Sequence, residues 1–222
     1  MYNCHLHIYL AGHPCRVFEV IRTMAPLQHF THTFSGSSHP EEAMASEADV
    51  IIADLSGLDI PKALPLLVAS GNRTAQVILL ADKEQIKLLS EYTDNISDIW
   101  INPMSDEEVR FRFLRWQQNY KMSRDFWQTS QYLEATINNI PNLIWYKNKE
   151  GIHKKVNDSF CRTVNKTKQQ VEGRGHAYIW DVEQDDPACI ESEREVMSKK
   201  QTFVSEEIIK TGDGMRTLTT YK

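Results

Sequence analysis

Asp54 is the residue best placed to do chemistry. It lies in the apolar run DVIIADL (Asp49–Leu55), so its carboxylate stands at the mouth of a buried strand. A carboxylate there could accept a transferred group or hold part of a divalent cation. A hard cation wants several oxygen ligands, and the other nearby acids are Asp59 and Asp82. The simpler role for Asp54 is a strand-end carboxylate bonded to neighbouring backbone amides. His5 and His7 would share one face of a strand, but two histidines without a third ligand make a poor metal site. Cys4, Cys15, Cys161 and Cys189 show neither CxxC nor metal spacing, and are read as reduced thiols.

The bulk numbers narrow the class. At 222 residues the chain fits two domains of roughly 100 residues each. The net charge is -5, and the basic residues are scattered among acids, which argues against a nucleic-acid partner. Apolar runs such as Val77–Ala81 are far too short to cross a bilayer. The first residues have no charged-then-apolar leader. The expectation is a cytoplasmic chain with no membrane partner.

The first half alternates strands and helices. Leu6–Leu10, His29–Phe34, Asp49–Leu55, Gln76–Ala81 and Ile96–Asn102 read as strands. Helical patterns lie between them: Pro14–Met24, Pro40–Ser46, Pro61–Ser70 and Lys83–Tyr92. A long helix follows, with Ser105 and Glu108 as a capping-box pair. The third and fourth strands lack polar alternation, as expected where helices cover both faces of a parallel sheet. Right-handed crossovers make a flavodoxin-like α/β sandwich the natural topology, with ligand chemistry at the carboxyl ends of the strands.

On the segment ADLSGLDIP (Ala53–Pro61), and on Pro103 after the fifth strand, residues 5–120 resemble the response-regulator receiver family. The resemblance implies that Asp54 occupies the phosphate-accepting position. The rest of that family's site is missing. Ala11, Gly12 and His13 stand where the family keeps an acidic pair for Mg²⁺. Ala81 stands for its Ser or Thr, and Asn102 for its Lys. Phosphoryl transfer depends almost wholly on positioning and charge stabilisation, so one carboxylate is not enough. The expectation is a receiver-like domain over residues 1–120 that has lost phosphotransfer, with no catalytic residue and no metal. The alternative is a phosphorylatable receiver using Asp54, with Asp82 or Asp59 lending an oxygen.

No Pro or Gly occurs between Ser105 and Asn138. Val109, Phe113, Trp116, Tyr120 and Trp127 recur at spacings that suit two packed parallel helices. Phe126, Leu133 and Ile137 carry an offset stripe, as an inserted stutter would give. The expectation is a signalling helix over 121–138 that forms a homodimer seam through Trp116, Tyr120 and Trp127. The first turns would pack on their own domain.

Residues 139–222 read as strand, strand, short helices, strand, strand. The strands are Leu143–Lys147, Ile152–Val156, Phe203–Lys210 and Met215–Tyr221. Asn157, the Thr167–Gln170 pair and Asp186–Pro187 open helices, and Asn148–Gly151 and Thr211–Gly214 are turns. That order, carried by Asn142–Gly151, Asn157–Phe160, Val171–Gly173 and Gly212–Gly214, resembles a PAS domain, an α+β fold with an antiparallel sheet. A fifth strand normally completes that sheet, so a continuation past Lys222 is expected. The candidate lining of a small-molecule cavity is Trp145, Phe160, Ile179, Trp180, Phe203 and Ile208, with polar contacts from His176 and Tyr178. Simple core packing is the competing role for these side chains.

A haem would need His176 as axial ligand, and Cys161 lacks the setting of a flavin-adduct thiol; no cofactor is expected. The GRGHAYIWD and KTGDGMRTLTTYK segments look like the sensory part of bacterial diguanylate cyclases. The function expected is therefore a non-enzymatic sensory fragment that regulates a GGDEF-type output. The sensor region of a histidine kinase is the alternative.

Overall fold

In a computed structural model the chain is described at residues 3–39, 42, 47–69, 75–184, 187–211 and 214–222. It divides into two compact units, Met1–Phe126 and Trp127–Lys222.

The first unit is built on a five-stranded parallel sheet. Its strands are β1 (Cys4–Ala11), β2 (Phe30–Ser37), β3 (Val50–Asp54), β4 (Gln76–Ala81) and β5 (Asp98–Ile101), in the order β2-β1-β3-β4-β5. This is the flavodoxin-like order, and it places the switch point between β1 and β3. Side chains alternate along each strand, so two cores form. Leu6, Ile8, Leu10, Val50, Ile52, Ile78 and Leu80 face α1 (Arg16–Thr23) and the first turns of α4 (Asp106–Asn139). Tyr9, Ala11, Ile51, Ala53, Val77 and Leu79 face α2 (Ile60–Ala69) and α3 (Ile86–Leu89). Both faces of β3 and β4 are thus covered, which is why their sequences lack polar alternation.

One helical expectation shifts. The stretch Lys83–Tyr92 is not one helix but the single turn α3, followed by a 3₁₀ segment, Ser90–Asn95. Asp82 Oδ1 accepts both the Glu84 and Gln85 N–H groups at 3.0 Å, which holds the start in a side-chain turn. Ser, Thr, Asp and Asn in SEYTDN favour such local bonding over helix. The expected Pro40–Ser46 helix lies outside the described residues apart from Glu42, and so do Ser70 and Gly71. Glu108 N–H does donate to Ser105 Oγ (3.2 Å), while the Glu108 carboxylate takes Arg112.

The second unit is α+β. It comprises the last part of α4, the antiparallel pair β6 (Trp145–Lys147) and β7 (His153–Val156), four helices, and the antiparallel pair β8 (Val204–Thr211) and β9 (Gly214–Tyr221). The helices are α5 (Asp158–Val164), α6 (Lys168–Val171), α7 (His176–Trp180) and α8 (Pro187–Lys199). The hairpin turn of β6–β7 is closed by Asn148, whose Oδ1 accepts Ile152 N–H, and by Gly151 at φ +77°. Thr167 and Gln170 form the complete capping box of α6. Asp186 and residues 212–213 of the Thr211–Gly214 turn lie outside the described residues.

The single sheet expected here is instead two hairpins. β6 begins at Trp145 rather than Leu143 because Ile144 bonds with Asn157: Ile144 N–H donates to the side chain, and Ile144 C=O accepts the Asn157 N–H. Among the described residues no strand pairs with the outer edge of β6 or of β9. No helix among them is long and apolar enough to cross a membrane.

Candidate functional site

Asp54 ends β3 at the carboxyl edge of the sheet and is buried. Its Oδ1 accepts the Ser56 N–H at 3.0 Å, the backbone-amide role open to it from the sequence. Gly12 lies directly against it, with φ +126°. A Cβ at position 12 would come within 3.2 Å of both the Asp54 Cβ and its carbonyl oxygen. The backbone of Gly12 thus closes against Asp54 at the switch point. The neighbouring thiol, Cys15, precedes α1 and lies within reach of the Asp54 charge. Burial pushes the Cys15 thiol up, the Phe18 and Val17 N–H groups oppose this, and the Asp54 charge adds to it. Cys15 therefore stays a neutral thiol and brings no ligand charge to the site.

The remaining positions add no oxygen. Ala81 ends β4 fully buried, and its carbonyl accepts the Asn102 N–H at 2.8 Å. Asp82 spends its Oδ1 on its own turn, as described above. Asp59 pairs with Lys62 at 2.8 Å. No group of three His, Cys, Asp or Glu able to hold a metal occurs among the described residues. His5 and His7 instead bond the β2 hydroxyls of Thr31 and Ser35, both at 2.7 Å.

The expected dimer residues divide. Trp116 and Tyr120 are not on a free seam. Trp116 is buried in the first unit's core, stacks on Phe113 with centroids 5.9 Å apart, and donates from Nε1 to Gln76 Oε1 at 2.8 Å. Tyr120 packs on Trp116, donates to Asp49 Oδ1 at 3.4 Å and accepts from Arg124 at 2.9 Å. Val109 and Phe113 are buried with them. This spacing was core periodicity: the helix covers its own sheet through these side chains. Trp127 is exposed.

The second unit holds a cleft of about 750 Å³ between β6 and β9, with α8 also contributing. Its apolar lining includes Leu143, Trp145, Val196, Met197, Ile209 and Leu218. Lys147 and Glu193, paired at 2.5 Å, supply charge. Of the side chains expected to line a cavity, only Trp145 is there. Phe160 and Ile179 are core, and Phe160 sits among the rings of Trp145, His153 and Trp180 at centroid distances of 5.6–5.9 Å. His176 packs on Trp180. Tyr178 is exposed beneath the Arg174 guanidinium at 5.2 Å, and Ile208 is exposed. The backbone of Phe203 pairs with that of Lys222 in the β8–β9 ladder. These aromatics make a core because α5 and α7 turn them inward on the β6–β7 hairpin, while the cleft opens between the hairpins.

Sequence reading missed two residues. Asn157, legible only as a helix cap, is fully buried and ties three segments together. Its Oδ1 accepts from Ile144 and Phe160 N–H at 3.0 and 3.1 Å. Its Nδ2 contacts the carbonyls of Ile137 (2.9 Å), Asn142 (2.9 Å) and Ile140 (3.2 Å). It thus satisfies a carbonyl in the last turn of α4, which needs a partner of this kind. Salt bridges back it up: Glu134 of α4 meets Lys155 and Lys168, and Asn138 accepts the Asp158 N–H. The other is His153, buried on β7 behind Phe160, with its Nδ1 3.3 Å from the Arg174 carbonyl. Burial pushes it down to about 4, and the Lys147 and His176 charges add to this against the Arg174 carbonyl and Glu193.

No protein-family model matches the chain. No curated protein matches it either. Among solved structures it is similar to the PAS domain of an HTR-like protein from Haloarcula marismortui, at 23% identity and a TM-score of 0.36, covering 46% of this chain and 82% of that one. It is similar to the PAS domain of Bordetella pertussis BvgS, at 22% identity and 0.30, covering 42% and 70%. A third likeness is to a protein described as a CpaE2 pilus assembly protein from Sinorhizobium meliloti 1021, at 17% identity and 0.38, covering 47% and 95%.

Proposed function

We propose that this chain is the cytoplasmic sensory and signal-transducing part of a regulator. The first unit is a receiver-like scaffold without phosphotransfer. The second is a PAS-type sensor whose cleft admits a small ligand. The chain works as a homodimer through the linker helix, and the output it regulates is a diguanylate cyclase. The observation that carries the reading is the Asp54 pocket, where backbone and a neutral thiol stand in place of the acids that a metal would need. A scaffold with that pocket can signal only through its surfaces. The 34-residue helix α4 begins in one unit and ends in the other, so it is the covalent route by which a change in one could reach the other. A signal would act by shifting the balance between two arrangements of the paired helices.

The test is incubation with acetyl phosphate and Mg²⁺ followed by intact-mass measurement. The expected spectrum is that of the unmodified chain. A phosphoryl adduct that disappears in Asp54→Ala would overturn the reading, because transfer to Asp54 requires the charge stabilisation that the site lacks.

A further inference from the structure

Once the positions of α4 that cover the first unit are removed, a second pattern stands out. Met122, Phe126, Thr129, Leu133 and Thr136 follow one another at spacings of four, three, four and three, and Ile140 follows four residues later. All six are exposed, with Met122 at 67%, Phe126 at 74% and Leu133 at 62%. The 4-3 alternation is the a/d repeat of a two-stranded coiled coil, in which each apolar knob enters a hole of an identical helix. No stutter is needed: Trp116 and Tyr120 belong to a different face from Phe126 and Leu133.

We infer that this stripe is the seam of a parallel pairing with a second copy of the chain, an inference that rests on the homodimer reading above. Three observations favour a second copy over another partner. The repeat is self-complementary. Its flanks carry almost no charge: Ser123, Ser130 and Ile137 lie on one side, and Asp125, Tyr132 and Asn139 on the other. Asp125 is already paired with Lys121 at 2.9 Å, so two copies meet without like-charge repulsion. The exposed seam side chains of two copies together offer on the order of 1,000 Å², the least that a specific interface needs. Thr at two successive d positions weakens the pairing relative to Leu, which suits a seam that must slide or rotate rather than lock. Trp127, one residue from Phe126, points about 100° away from the seam and lies outside it.

The experiment compares the 222-residue chain with Phe126→Glu/Leu133→Glu and Trp127→Glu by sedimentation across a concentration series. The parent chain and Trp127→Glu are expected to dimerise alike, and the double variant to weaken the dimer by on the order of 100-fold or more, since it buries unpaired like charges at the seam. A second variant guards against misfolding. Thr129→Cys should form a disulfide-linked dimer under mild oxidation, because parallel d positions face their own copies, and Gln128→Cys should not. A dimer that survives the double variant, or Thr129→Cys that fails to link, overturns this seam while leaving the homodimer standing. A parent chain that stays monomeric at high concentration overturns both.

Discussion

Asn157→Ala is expected to destabilise the second unit by about 3–5 kcal/mol. The side chain is fully buried and touches five backbone groups between Ile137 and Phe160: Oδ1 accepts two N–H groups, and the two Nδ2 hydrogens are shared among three carbonyls. Each satisfied bond contributes roughly 1 kcal/mol, and a buried amide left without a partner costs about 1–3. The Ile144 and Phe160 N–H groups lose their acceptor together, so the total is large for one residue. Hydrogen exchange should locate the loss: protection should fall across residues 137–160 and stay unchanged in β1–β5. An unfolding free energy from urea within about 1 kcal/mol of the parent would show that water largely replaces the amide. The same variant should loosen the carboxyl end of α4 from the β6–β7 hairpin, because it removes side-chain bonds that hold the two together.

His153 gives the second large effect, read through pH. Its folded value is pushed down to about 4, from an ordinary 6.5 in the unfolded chain. Between those values the unfolded state binds more protons, so stability rises with pH. The contribution is fully present above about pH 6.5, is lost as pH falls towards 4, and amounts to roughly 3 kcal/mol. The groups that face the ring are Lys147, His176, Glu193 and the Arg174 carbonyl. Urea unfolding at pH 7, 5.5 and 4.5 should therefore show a steep loss for the parent. In His153→Phe, which fills the same space beside Phe160, that component should be absent. Parallel pH profiles for the two proteins would remove His153 as the cause.

The fold of the first unit was largely legible. Its strands are apolar runs with distinct ends, and its cap at Ser105 obeys local rules. The departures at Lys83–Tyr92 and Leu143 have a common cause, since Asp82 and Asn157 redirect backbone hydrogen bonds that periodicity cannot see. The lack of a carboxylate at Ala11, Gly12, His13, Ala81 and Asn102 could be read residue by residue, because it is a matter of identity. That Gly12 presses on Asp54 could not, since a close backbone approach leaves no mark beyond the glycine itself. The long helix misled for a physical reason. Buried and exposed apolar stripes share nearly the same period, and only burial separates Trp116 and Tyr120, which pack on the first unit's core, from Phe126 and Leu133, which are exposed. The aromatics of the second unit misled likewise, because a ring in a core and a ring on a cavity wall have the same sequence signature.

The most direct measurement is an anomalous difference map from a crystal of the chain soaked in Mn²⁺, a stand-in for Mg²⁺ that takes the same oxygen ligands. The expected map is featureless around Asp54, whose carboxylate stays with the Ser56 amide. A peak at coordination distance from an Asp54 oxygen would contradict the claim that this domain works without its metal.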